Sequence, residues 1–115
     1  MQIERIGVGQ RMSKAVFIDS LVFTCGEVAS DKTKDAFGQT EEILAALDES
    51  LRQAGSHKGR ILNATVWLAD IKDFAEMNKA WDAWIPAGHT PARATVEARL
   101  VSATAKVEIA IIALR

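Results

Sequence analysis

The segment Val107 to Leu114 constrains this chain most, because it is apolar on both sides of an extended strand. Read in alternation, Val107, Ile109, Ile111 and Ala113 form one face, while Ala110, Ile112 and Leu114 make the other face greasy beyond a single carboxylate, Glu108. A strand apolar on both faces is covered on both faces. Any fold for this sequence must bury that segment from two sides.

The rest of the chain has to supply the cover. Ile3 to Val8 alternates weakly as a strand, and the polar Gly9 to Lys14 stretch reads as a loop. Ala15 to Ile18 and Leu21 to Thr24 flank Asp19-Ser20, the spacing of a two-residue hairpin. From Asp35 to Ala54, Ile43, Leu44, Leu47 and Leu51 recur at helical spacing, with Gly55 placed as a left-handed C-cap. Ile61 to Leu68 predicts a strand. Asp73-Phe-Ala-Glu76 reads as a capping box opening a second helix, with Phe74, Met77, Trp81 and Trp84 on one side and a stop before Pro86 and Gly88. The predicted order is βββ-α-β-α-ββ, an α+β arrangement in one domain spanning residues 1–115. Two helices can cover only one face of a five- or six-stranded sheet, so the other face is expected to pack against further copies of the chain.

Composition excludes several functions. At 49% apolar and 25% charged, with net charge −1, the chain has no basic excess for a phosphate backbone, so nucleic acid is not an expected partner. No apolar run approaches the roughly 20 residues of a spanning helix and no signal peptide is visible, so no membrane partner and a cytoplasmic location are expected. Cys25 is the sole cysteine, which suits a reducing compartment. His57 and His89 lie apart in polar turns and do not compose a metal site. Gly7 and Gly9 lack the third glycine and following helix of a dinucleotide fingerprint.

The run Pro91 to Ile109 holds the candidate chemistry. Arg93, Thr95, Glu97 and Arg99 alternate with Ala94, Val96, Ala98 and Leu100. If Leu100 and Ala105 flank an antiparallel turn, Glu97 lies opposite Glu108 and Arg93 opposite Ile112. Arg93 and Glu108 then share a face about 13 Å apart, at ~3.3 Å per residue. That gap suits a small substrate: the arginine fork grips a carboxylate in bidentate fashion, and the glutamate holds a water. The same residues also have plainer readings. Arg93 can pair with Glu97 or Asp82 across an interface, Glu108 can be half of an interface ion pair, and Cys25 can be a small buried side chain at a strand end. Trp81 and Trp84 fit core packing, with Trp81 also placed to wall a pocket.

The segment PARATVEARL followed by KVEIAIIA resembles the C-terminal signature of the Rid, or YjgF/YER057c-type, family of reactive-intermediate imine/enamine deaminases. TCGEVASD, QTEEILAALDESLRQAG, ATVWLADIKDF and MNKAWDAW extend the likeness over nearly the whole chain, and the combination is most similar to the YoaB-like branch. The resemblance implies a chorismate-mutase-like fold assembled as a homotrimer, with sites at subunit interfaces and without metal or cofactor. It implies hydrolysis of 2-imino acids and enamines such as 2-aminoacrylate to 2-keto acids and ammonia. It places the carboxylate-binding arginine at Arg93 and the water-positioning glutamate at Glu108. Cys25 and Gly26 would contact substrate through the backbone, Asn78 takes the position of a second-helix asparagine and with Trp81 is counted among the substrate-binding residues, and Thr95 or the backbone near Cys25 would contact the substrate nitrogen. Two departures stand out. A family tyrosine falls at Met12, and a family cysteine falls at Thr95. Those losses keep a second reading open, a carboxylate-binding regulatory oligomer without catalysis; the resemblance also leaves a third, a hydrolase of a cyclic or carbamoylated nitrogen compound, since branches of this fold act in catabolic operons.

Overall fold

A computed structural model describes all residues 1–115. The elements run β1 (Glu4–Ile6), β2 (Ala15–Ile18), β3 (Leu21–Thr24), α1 (Ala36–Gln53), β4 (Ile61–Leu68), α2 (Phe74–Trp84), β5 (Ala92–Glu97) and β6 (Val107–Leu114). Short 3-10 turns at Lys58–Arg60 and Ile71–Asp73 lead into β4 and α2. The strands form one six-stranded mixed sheet in the order β1-β2-β3-β6-β4-β5, with both helices on one face. The predicted element order is the observed one.

The doubly apolar segment explains the topology. β6 lies between β3 and β4, antiparallel to both. Its Val107, Ile109, Ile111 and Ala113 are at most 2% exposed beneath the helices. α1 brings Ile43, Leu44, Leu47 and Leu51 onto this face, all of them buried. Truncating one such leucine to alanine costs about 2–5 kcal/mol. The helix starts where Asp35 accepts the Gly38 N–H at 2.8 Å, and it ends before Gly55, whose φ of +79° is open to glycine at little cost. Asp19 at φ +52° closes the β2–β3 hairpin, which pairs Ala15 with Thr24.

Gln39 is fully buried on the same stripe. Its amide nitrogen donates to Lys34 O at 3.0 Å, and its oxygen accepts the Lys106 N–H at 2.8 Å. This one side chain ties the loop before α1 to the entry of β6, two residues ahead of Glu108.

Three expectations are corrected. First, β5 does not pair with β6: it runs parallel to β4, matching Arg93 with Ala64 and Glu97 with Leu68. β4, also apolar toward the helices, takes the place beside β6, and the Ala98–Lys106 segment crosses over as a loop instead of a hairpin. Second, Ala94 and Val96 do not continue the core face. Val96 is 46% exposed on the side away from the helices, while Arg93 and Thr95 turn toward α2. Third, the Asp73 capping box does not form, since Asp73 makes no side-chain cap bond. Asp70 instead accepts the Lys72 N–H at 2.9 Å and starts the 3-10 turn that feeds α2, leaving Phe74 42% exposed.

The face away from the helices carries Phe23, Thr65, Trp67, Val96, Glu108, Ala110, Ile112 and Leu114, all half-buried or exposed. With one helix layer and one sheet layer, the molecule is only 20 Å thick. No helix is long and apolar enough to cross a membrane.

Candidate functional site

Glu108 stands on the open face of β6, directly across from Trp67 of β4. The chain following β3 passes alongside it. Between the pairs Phe23–Ile112 and Glu27–Ile109, Thr24, Cys25 and Gly26 oppose only Ala110 and Ile111, which makes a β-bulge. Thr24 bridges the irregularity: its hydroxyl accepts the Ile111 N–H at 3.0 Å and donates to Cys25 O at 3.0 Å. Gly26 then lies against the Glu108 side chain. A Cβ on residue 26 would collide with Glu108 Oε2 and stand 3.0 Å from its Cδ, so the missing side chain is what makes room for the carboxylate. The Gly26 N–H makes no hydrogen bond within the chain and remains a free donor beside Glu108.

Cys25 contributes backbone here while its thiol is engaged elsewhere. The sulfur lies 3.6 Å from Oε2 of buried Glu27, which Lys14 Nζ bonds at 2.7 Å. Burial, and then the Glu27 charge, pushes the Cys25 thiol above its ordinary pKa. The Glu27 hydrogen bond likewise raises Lys14. At neutral pH residue 25 carries a thiol, not a nucleophilic thiolate.

Arg93 belongs to the other face. Its Nη2 donates to Asn78 Oδ1 of α2 at 2.7 Å, Nη1 lies 3.9 Å from Met77 Sδ, and the guanidinium rests 5.1 Å from the centre of the Trp81 ring. No carboxylate lies within salt-bridge distance. Burial draws its pKa below the usual arginine value, with Asp82 opposing from beyond contact range. An arginine stays charged despite that shift. Thr95, two residues on along the same face, has a buried hydroxyl with no partner. Glu97, a considered partner for Arg93, accepts the Ile71 N–H at 2.9 Å instead.

The expected common face for Arg93 and Glu108 is therefore overturned. Arg93 aligns with Ala64 and Glu108 with Trp67, three residues apart on the intervening strand and on opposite sides of the sheet. Within one chain that is about 10 Å along the strands and about 10 Å across two strand spacings, with the sheet itself between them. Two hollows of about 580 Å³ each lie beneath the Glu97–Ala105 loop and beside Lys32 and Lys106; neither includes Arg93 or Glu108. One copy presents two separate groupings: Glu108 with Gly26 and Trp67, and Arg93 with Asn78, Trp81 and Thr95. Trp67 was missed from the sequence. Alternation through β4 signals it, since Thr65 and Trp67 face away from Ala64, Val66 and Leu68. Gln39 was missed too, although it sits one helical turn before Ile43 on the buried stripe.

The family model described as endoribonuclease L-PSP matches residues 2–115. The RutC family protein YoaB of Escherichia coli is 48% identical over 113 residues, which are 98% of each chain. The structure of NMB1025, a YjgF family member from Neisseria meningitidis, superposes with a TM-score of 0.97 at 44% identity, covering 100% of this chain and 96% of that one. A rat protein named 2-iminobutanoate/2-iminopropanoate deaminase is 30% identical over 109 residues, 90% of this chain and 79% of the relative.

Proposed function

Since the chain belongs to the endoribonuclease L-PSP, or YjgF, family, we propose that it hydrolyses reactive 2-imino acids and their enamine tautomers to 2-keto acids and ammonia. The observation that carries this reading is Arg93, a charged guanidinium held in place without any carboxylate partner of its own. Such a group is a receptor for a small organic acid. The name of the rat relative points to the same substrate class. The family description names a ribonuclease, but a chain of net charge −1 with an apolar open face offers little to an RNA backbone.

In this reading the site closes only when the Arg93 half of one copy meets the Glu108 half of another, in a homotrimer whose apolar sheet faces cover one another. Arg93 grips the substrate carboxylate through paired N–H bonds. Glu108 accepts a proton from water as the water oxygen bonds to the imine carbon and the C=N π electrons move to nitrogen. The resulting carbinolamine takes the proton from Glu108 on its nitrogen. Glu108 then takes the hydroxyl proton and passes it to the amine nitrogen, so that the C–N bond breaks with its pair leaving on ammonia as the keto group forms. The free Gly26 N–H beside Glu108 can hold the attacking oxygen. Imines already hydrolyse in water, so positioning supplies most of what the reaction needs.

The test generates imino acids with an amino-acid oxidase and traps them with semicarbazide. Added protein should suppress semicarbazone formation, and both Arg93→Ala and Glu108→Gln should abolish the suppression. Suppression absent with every imino acid tried would leave a carboxylate-binding oligomer without catalysis.

A further inference from the structure

We propose that Asn78 and Trp81 form an electrically neutral cradle that aims the Arg93 charge at the ligand carboxylate without cancelling it. The inference rests on the carboxylate-binding reading of Arg93 and reassigns its two neighbours, expected from the sequence to touch substrate, as positioning residues. Asn78 and Trp81 are three apart on α2 and so lie on one face of the helix. The amide oxygen of Asn78 accepts from Nη2 at 2.7 Å, and the indole of Trp81, 4% exposed, lies with its ring centre 5.1 Å from the guanidinium carbon. Met77 Sδ touches the third corner at 3.9 Å.

Every one of these contacts is uncharged. A carboxylate at position 78 would hold an arginine more strongly, by a charge-assisted bond. It would also occupy the guanidinium and neutralise it. The cation–π contact attracts the charge without consuming an N–H donor, and asparagine takes one of the five. The cradle is itself braced: Trp84 packs 5.7 Å from Trp81, and its Nε1 donates to Asp48 Oδ2 of α1 at 2.9 Å. A column of side chains thus runs from α1 through both tryptophans to the arginine. Asp82 of α2 only partly opposes the burial that lowers the Arg93 pKa, and it makes no ion pair with the guanidinium.

The charge change Asn78→Asp separates aiming from scaffolding. A purely structural Asn78 predicts that Asp in its place pairs with Arg93 and leaves pyruvate binding intact. The neutral cradle predicts that thermal stability is kept or raised while the Kd for pyruvate, read by calorimetry on the full chain, rises at least ~10-fold. Asn78→Ala should weaken pyruvate binding less than Asn78→Asp does. Pyruvate bound by Asn78→Asp within twofold of the parent, with Arg93→Ala abolishing binding, overturns the cradle and spares the carboxylate site. Arg93→Ala binding pyruvate as the parent does removes the carboxylate site and the cradle with it. A readout independent of any ligand is the set of Arg93 guanidinium nitrogen resonances. Restricted rotation should split them in the parent and they should merge in Asn78→Ala, whereas merged signals in the parent overturn the cradle.

Discussion

At the scale of single residues, Gly26 acts through what it lacks. Its missing Cβ is the space that Glu108 occupies, and the atom in the way is the mobile end of a side chain, not backbone. Gly26→Ala should therefore leave the urea midpoint nearly unchanged while it swings the carboxylate aside. Loss of one aimed group predicts a fall in kcat of about 100-fold in the trapping assay. Thr95 is the opposite case, a group present without a partner. A buried unsatisfied hydroxyl costs about 1–3 kcal/mol, so Thr95→Val, which keeps the shape, should raise stability by about 1 kcal/mol in urea denaturation. Equal or lower stability would mean that the hydroxyl finds a partner in the assembled protein. Arg93, Glu108, Cys25 and Gly26 were all legible in the sequence as candidates. Asn78, Trp81 and Thr95 were named as candidates too; Trp67 was not, and neither was the grouping of Arg93 with Asn78 and Trp81, because those contacts depend on which strands pair, and local alternation does not encode that.

Secondary-structure elements were read well wherever a local pattern decides them and poorly where two local patterns compete. Asp35 and Asp73 both stand at the start of an apolar helical stripe, yet only Asp35 caps, because the Asp70 turn takes over the entry to α2. The caps should separate in measurement: Asp35→Ala should cost about 1 kcal/mol, and Asp73→Ala less than ~0.5 kcal/mol, by chemical denaturation. The bulge after β3 makes a second prediction. Cys25 and Lys14, clustered on buried Glu27, both hold their protons more tightly in the folded chain than in the unfolded one. A raised folded pKa gives stabilisation that is complete below the unfolded value and is lost as pH rises through the folded value. Stability should hold between pH 7 and the ordinary thiol range, then decline as the medium becomes more alkaline. Glu27→Gln, which removes the cause of the Lys14 shift and the part of the Cys25 shift that burial does not supply, should lessen that decline in denaturation midpoints taken across the series.

For the whole molecule, the doubly apolar strand set the architecture, and the architecture separates Arg93 from Glu108. Burying β6 between β3 and β4 displaces β5 to the sheet edge, and parallel pairing with β4 turns Arg93 toward α2 while Glu108 stays on the open face. The sequence reading carried the need for a covered second face but placed both groups on one side, since the assumed β5–β6 hairpin ignored β4 as the competing neighbour of both strands. If the halves meet between copies, two crippled proteins should rescue each other. Arg93→Ala retains an intact Glu108 half and Glu108→Gln an intact Arg93 half, so each alone is inactive. Unfolding a 1:1 mixture and refolding it together lets the copies assort. About a quarter of the shared interfaces then join two intact halves, and the mixture should recover about that fraction of parental activity in the trapping assay. Two inactive proteins that stay inactive after co-refolding, while light scattering shows mixed oligomers, would confine Arg93 and Glu108 to separate roles. Replacing Ile112 on the open face by glutamate gives the complementary result. A charge buried in that apolar contact should split the oligomer in light scattering and abolish turnover with Arg93 and Glu108 both present, because the chain would keep its two half-sites and lose the surface that brings them together.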